Sequence, residues 1–125
     1  MKYSLEKAGK KAWLTERGTV FGYNRLVVDF SGIPVLKSFG VPVIFDATHS
    51  VQMPGGAKGR SSGNRDLAMP LARSAVCMGA DGLFFEIHPH PDKALCDADN
   101  TIPVKEFIRN VPRLVELSEK TRDWE

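Results

Sequence analysis

Apolar residues fall along this chain in two kinds of run. Val41-Pro42-Val43-Ile44-Phe45 and Gly82-Leu83-Phe84-Phe85 are near-continuous, as strands covered on both faces of a parallel sheet are. The first breaks into Asp46-Ala47-Thr48-His49 and the second into Glu86-Ile87-His88-Pro89. Ala12-Trp13-Leu14 ends in the same manner, in Thr15-Glu16-Arg17-Gly18. Three predicted strands therefore carry ionisable groups at their C-terminal ends, the side on which α/β enzymes hold substrate.

Between the strands the pattern turns helical. Ile33, Leu36, Lys37 and Phe39, closed by Gly40, predict a short helix with a glycine C-cap. Leu67, Leu71, Ser74, Ala75 and Met78 recur at helical spacing, with Asp66 near the start, Pro70 in the first turn and Gly79 past the end. Pro103 opens a long amphipathic segment with Val104, Phe107, Ile108, Val111, Leu114, Val115 and Leu117 on one face, kinked or interrupted by Pro112. Its charged face and the tail to Trp124 and Glu125 are expected outside. At the other end Ser4 is expected to cap a helix over Leu5 to Lys11, ending near Gly9, so that the chain begins inside a helix. Leu26-Val27-Val28-Asp29-Phe30 suits a short strand or the approach to a helix equally well. Trp13 and the phenylalanines fall at core-like positions.

The order helix, strand, helix, strand, helix, strand, helix demands a parallel sheet with right-handed crossovers. A closed (β/α)8 barrel needs eight strands and typically ~250 residues. Residues 1–125 are thus expected to form a single α/β domain, either a small open sheet or a piece of a barrel.

Composition narrows the function classes. With 42% hydrophobic and 26% charged residues among 125, the chain reads as soluble and globular. A net charge of +2, from 17 basic and 15 acidic residues, is too even to advertise nucleic acid or an anionic membrane. Cys77 and Cys96 have neither zinc-site spacing nor a secreted disulfide pattern. No run approaches the ~18 apolar residues of a membrane helix. A cytoplasmic enzyme fits all of this.

His49, Glu86 and Asp97 form the leading candidate site. His49 and Glu86 end neighbouring strands and Asp97 follows a proline-marked loop, so that the three can converge as nitrogen and oxygen ligands of a divalent metal. A histidine among carboxylates can equally relay protons. Asp46 lies three residues before His49, a parity that on an extended strand turns the two to opposite faces, and reads as a cap of the following turn. His88 and His90, spaced by prolines, read as an extended exposed segment. Arg17 offers a guanidinium fork to a carboxylate or phosphate, or an ion pair to Glu16. The stretch from Gln52 to Arg65 contains Gly55, Gly56, Gly59 and Gly63 beside Lys58, Arg60, Ser61 and Ser62. It is expected to be a mobile basic loop, longer than the usual ~2–6 residue connection and suited to a lid or a phosphate cradle. It matches neither GxxxxGK[ST] nor GxGxxG, and the chain has no GxSxG or HExxH.

Leu14-Thr15-Glu16-Arg17-Gly18, Phe21-Gly22-Tyr23-Asn24, Leu26-Val27-Val28-Asp29, Phe45-Asp46-Ala47-Thr48-His49-Ser50-Val51-Gln52, Glu86-Ile87-His88-Pro89 and Cys96-Asp97 together closely resemble the 3-deoxy-D-manno-octulosonate 8-phosphate synthase family. The order and spacing agree from about Lys7 to the tail. The resemblance implies the carboxyl-terminal part of a (β/α)8 barrel, with the three strands here as the sixth, seventh and eighth. It implies a homotetrameric, cytoplasmic transferase that condenses phosphoenolpyruvate with arabinose 5-phosphate for lipopolysaccharide biosynthesis. By the same resemblance Arg17 grips phosphoenolpyruvate, Gln52, Ser62 and Gly63 belong to a lid over substrate, and His49, Glu86 and Asp97 are catalytic, as metal ligands in the metal-dependent class. Metal-independent relatives read Cys-Asp-Gly-Pro around the last aspartate and metal-dependent ones Ser-Asp-Ala. Cys96-Asp97-Ala98-Asp99 lies between the two and leaves both classes open. Two further readings are a non-catalytic module binding a phosphorylated ligand through Arg17 and the glycine-rich loop, and a small metallohydrolase.

Overall fold

Three parallel strands carry the architecture. The computed structural model describes residues 2–8, 12–57 and 60–122. In it α1 (Lys2–Lys7) precedes β1 (Leu14–Glu16), and an antiparallel pair, β2 (Val20–Phe21) and β3 (Leu26–Val27), leads to α2 (Gly32–Lys37) and β4 (Val43–Asp46). A 3-10 turn over His49–Val51 opens β5 (Gln52–Ala57), which pairs antiparallel with β6 (Arg60–Gly63) before α3 (Ala68–Cys77). Then come β7 (Gly82–Phe84), β8 (Ile87–His88), β9 (Ile102–Pro103) and α4 (Val104–Arg122).

β1, β4 and β7 form one sheet in that order, with Glu16 opposite Phe45 and Asp46 opposite Phe84. The register brings the C-terminal ends of all three strands to one edge. At the opposite edge Asp81 accepts a hydrogen bond from the Val43 N–H at 2.8 Å, and Lys37 bonds the Gly79 carbonyl at 2.8 Å.

The core lies between β4 and the helices. Val43 and Phe45 are fully buried with Ile33 of α2 and Ile102 of β9. Ala68, Ala72 and Ala75 are fully buried along one face of α3, spaced as helical neighbours, and their small side chains let α3 lie close to the sheet. Burying Phe45, which meets the Phe30 ring at 5.8 Å, stabilises by about 1.5–3 kcal/mol. β4 is the one strand of this sheet with a neighbour on both sides among the described residues.

Several expectations change. The first helix starts at Lys2 and holds Ser4 inside it, so Ser4 is not its cap; Gly9 and Lys11 lie outside the described residues. Leu26–Val27 is a strand. The Gln52–Arg65 stretch is a β-hairpin rather than an open loop, because Gln52 pairs with Gly63 and Met53 with Ser62; Lys58 and Gly59 lie outside the described residues. Helix α3 begins at Ala68, after a 3-10 turn over Arg65–Leu67. Gly40, at φ 72, ends the segment after α2 as expected, with its N–H on the Lys37 carbonyl. Helix α4 runs through Pro112 without interruption, while Trp124 and Glu125 lie outside the described residues. Its apolar face is only partly covered: Leu114 is buried, but Ile108 and Val115 are exposed. Trp13, 68% exposed, and Phe21 and Phe84 are likewise not core residues. Trp13 lies just before β1 and Phe84 on β7, the two strands of this sheet paired on one side only among the described residues.

Candidate functional site

The site is built where β4 stops being a strand. The Ala47 N–H still bonds the Phe84 carbonyl at 3.0 Å, and the chain then winds into the His49–Val51 turn. That turn brings His49 back over Asp46. Strand parity, which separates the two residues, ends with the strand at Asp46. The Asp46 Oδ2 lies 2.7 Å from the His49 Nδ1, and its Oδ1 accepts the His49 N–H at 3.0 Å and the Thr48 hydroxyl at 3.3 Å. Asp46, expected only to cap a turn, does so and also holds the imidazole.

Thr48 ties the second strand end to the first. Its fully buried hydroxyl accepts the Glu86 N–H at 3.1 Å, which fixes the backbone from which the Glu86 carboxylate projects. The Glu86 Oε1 then lies 3.5 Å from the His49 Nε2. From the other side the Ile102 N–H bonds the Glu86 carbonyl at 3.1 Å, where β8 and β9 pair in parallel. The Phe84 ring stacks on the imidazole with centroids 5.9 Å apart at 28°.

Asp97 enters from a tight turn. Its φ of 49 is left-handed, a conformation aspartate tolerates better than most residues. Its carbonyl is bonded by the Asn100 N–H, the Thr101 N–H and the Thr101 hydroxyl, each at 2.9 Å. One ligand atom each from His49, Glu86 and Asp97 lies within 4.8 Å of the others, all three residues being half-buried. Donors ~2.1 Å from a shared ion sit at most roughly 4.2 Å apart, so the cluster is within a side-chain adjustment of a coordination sphere. One imidazole nitrogen with two carboxylates suits a divalent first-row ion. Among the described residues no other His, Cys, Asp and Glu group meets these separations.

Arg17 and Gln52 complete a polar chain. An Arg17 terminal N–H donates to the Gln52 Oε1 at 2.8 Å, and the Gln52 Nε2 donates to the Asp97 Oδ1 at 2.8 Å. Arg17 is exposed and its amide partner is Gln52 rather than Glu16, which is buried and accepts the Gly18 N–H. The structure thus joins Arg17, Gln52, Asp97, His49 and Glu86 at one edge. Gly63 stands opposite Gln52 in the hairpin, and a Cβ there would lie 1.3 Å from the Asn100 Oδ1. Ser62 is half-buried opposite Met53. His88 is paired in β8 and its Nδ1 accepts the His90 N–H at 2.9 Å; neither histidine joins the cluster. Asp46, Thr48 and Asn100 were not among the candidates, and the signal for the first was the i, i+3 spacing of an acid and a histidine across a strand end.

Known proteins similar to this chain fit the same picture. The DAHP synthetase I family profile matches residues 1–123. A protein of Desulfotalea psychrophila named 2-dehydro-3-deoxyphosphooctonate aldolase is 54% identical over 114 residues, 90% of this chain and 41% of that protein. One of Nitratidesulfovibrio vulgaris with the same name is 59% identical over 101 residues, 80% of this chain and 37% of that protein. The chain therefore spans about two fifths of the length of these relatives. Among solved structures, a truncated 3-deoxy-D-arabino-heptulosonate 7-phosphate synthase from Thermotoga maritima superimposes with a TM-score of 0.77 at 31% identity, over 95% of this chain and 43% of that one. A phospho-2-dehydro-3-deoxyheptonate aldolase from the same organism gives 0.76 at 31% identity, over 95% and 33%.

Proposed function

This chain belongs to the DAHP synthetase I family, and we propose that it is the carboxyl-terminal portion of a 3-deoxy-D-manno-octulosonate 8-phosphate synthase barrel, its three-stranded sheet supplying the sixth to eighth strands. The observation that carries this reading is the convergence of His49, Glu86 and Asp97 within 4.8 Å at the strand ends, linked through Gln52 to Arg17. In the proposed reaction C3 of phosphoenolpyruvate forms a bond to the aldehyde carbon of arabinose 5-phosphate. Water adds at C2, and phosphate leaves as the C2–O bond breaks, giving the eight-carbon phosphate and inorganic phosphate.

Arg17 is exposed at the strand edge and has N–H donors beyond the one on Gln52, so it can bind the carboxylate or phosphate of phosphoenolpyruvate. Gln52 reaches Arg17 from the hairpin that also bears Ser62 and Gly63, and in this reading that hairpin is the lid that limits water to the reacting molecule. In the metal-independent class His49 and Glu86 would orient the aldehyde oxygen and the attacking water, with the imidazole taking or returning a proton at Nε2. His49, Glu86 and Asp97 would hold a divalent ion in the metal-dependent class, where its positive charge stabilises developing oxyanion charge. The whole protein works as a homotetramer in the cytoplasm.

The test is phosphate release from phosphoenolpyruvate with arabinose 5-phosphate. It is measured for this chain alone and for this chain co-expressed with the part of the Desulfotalea psychrophila relative that it does not match. Background alone and turnover in the pair, abolished by His49→Ala, is the expected outcome. Turnover by the chain alone would overturn the view of a partial site, and a folded but inactive pair would overturn the assignment. The exposed Arg17, with guanidinium N–H groups beyond the one on Gln52, favours a second reading, a module that binds a phosphorylated ligand without turnover. Calorimetry with phosphoenolpyruvate separates it: heat of binding with no phosphate release in the pair is its signature.

A further inference from the structure

We infer that Asp46 is a positioning residue: it holds the proton of the neutral His49 ring on Nδ1 and so presents a bare Nε2 to the Glu86 and Asp97 carboxylates. The importance of that presentation rests on the site proposed above; the tautomer itself does not.

The geometry allows the ring little freedom. Nδ1 lies 2.7 Å from the Oδ2 of Asp46, a residue that is only 8% exposed. An ionised carboxylate accepts hydrogen bonds and donates none, so a neutral imidazole at this distance must carry its proton on Nδ1. The other Asp46 oxygen is already engaged by the His49 N–H and the Thr48 hydroxyl, which fixes the carboxylate plane. Phe84 stacked on the ring opposes rotation about the Cβ–Cγ bond. The neutral ring is then left with a lone pair on Nε2, 3.5 Å from the Glu86 Oε1. Two acceptors facing one another at that distance repel unless a proton or a cation lies between them. A carboxylate behind a ligating imidazole serves to select the tautomer and raise ligand basicity, and its loss typically costs 10–100-fold in metal affinity.

Asp46→Asn tests this in the complex of this chain with the part of the Desulfotalea psychrophila relative that it does not match. Asparagine keeps an oxygen for the His49 N–H and the Thr48 hydroxyl, so the turn stays capped, but its NH2 now faces Nδ1 and drives the ring proton to Nε2. Ring 15N–1H correlation spectra, with His49 assigned by comparison with His49→Ala, should show Nδ1–H in the wild type and Nε2–H in the variant. Titration with Mn2+ alone should show affinity falling 10–100-fold, with the thermal midpoint unchanged. A wild-type ring protonated on Nε2, or a folded Asp46→Asn chain that retains Nδ1–H and full Mn2+ affinity, overturns the inference. Wild type with Nδ1–H but no Mn2+ binding supports the positioning role and sinks the metal-dependent reading of the site instead. Should Asp46→Asn fail to fold, the wild-type ring spectrum alone still decides.

Discussion

At the scale of single residues, position within a turn decides chemistry more than position within a strand. His49, Glu86 and Arg17 are legible as candidates because each follows an apolar run and none belongs in a parallel-sheet core, and Asp97 because it follows a proline-marked loop. Asp46 was misread, since alternation along an extended strand sends i and i+3 to opposite faces, and the chain abandons extension after Asp46 to enter the His49–Val51 turn. Gln52 was legible only through family resemblance; its bridge between Arg17 and Asp97 depends on a hairpin that composition disguises. The Arg17 contact yields a residue-scale prediction. Arg17→Lys keeps the charge but replaces a planar fork by a point donor, and cannot bond Gln52 and grip an anion with parallel N–H groups. In the complemented enzyme the KM for phosphoenolpyruvate should rise roughly tenfold, about 1.4 kcal/mol, with kcat little changed. An unaltered KM would remove Arg17 from substrate binding.

At the scale of elements, what the sequence reveals depends on who supplies the pairing. Strand β4 and helix α3 are legible because their burial is written in their own apolar period. The β5–β6 hairpin is not, because its strands are glycine-rich and polar and are specified by cross-strand pairing such as Gln52 with Gly63, which no local window contains. The same holds for β8 and β9, two residues each and far apart in sequence. Gly63 is where the hairpin touches the turn that presents Asp97. Asn100 is 1% exposed, its N–H bonds the Asp97 carbonyl, and its Oδ1 occupies the place a Gly63 Cβ would take. Gly63→Ala should therefore force Asn100 aside and lower stability by about 1–3 kcal/mol, the usual range for overpacking, as read by urea unfolding. The strain should pass through the Asn100–Asp97 bond, so Mn2+ affinity falls in the same variant. Stability equal to wild type would mean that Asn100 yields freely and that the hairpin and the Asp97 turn are independent.

At the scale of the whole molecule, the exposed apolar surface is the feature that local rules leave over. β1 and β7 are each paired on one side only among the described residues, and unpaired parallel edges are templates for association. Beside the β7 edge an apolar groove of about 330 Å³ opens between sheet and helices, lined by Leu83, Phe85, Phe107, Val111 and Val115. Trp13 next to β1 and Phe84 on β7 are exposed. Sequence periodicity marks all of these as core, and on the proposal above the rest of that core lies in the part of the relatives that this chain does not match. The chain matches about two fifths of its relatives' length, and a barrel closed by the remaining strands would cover both edges and fill the groove. That occupant makes a definite prediction for light scattering coupled to size-exclusion chromatography. The chain alone should elute as oligomers that grow with concentration. Co-expressed with the unmatched part of the Desulfotalea psychrophila relative, it should elute in a complex of fixed stoichiometry, with Trp13 fluorescence shifted to the blue as water leaves the β1 edge. The second tryptophan, Trp124, is removed by Trp124→Phe so that the signal reports Trp13. A monodisperse monomer whose Trp13 emission is the same alone and with the added part would mean that the open edges are the finished surface of a free-standing domain.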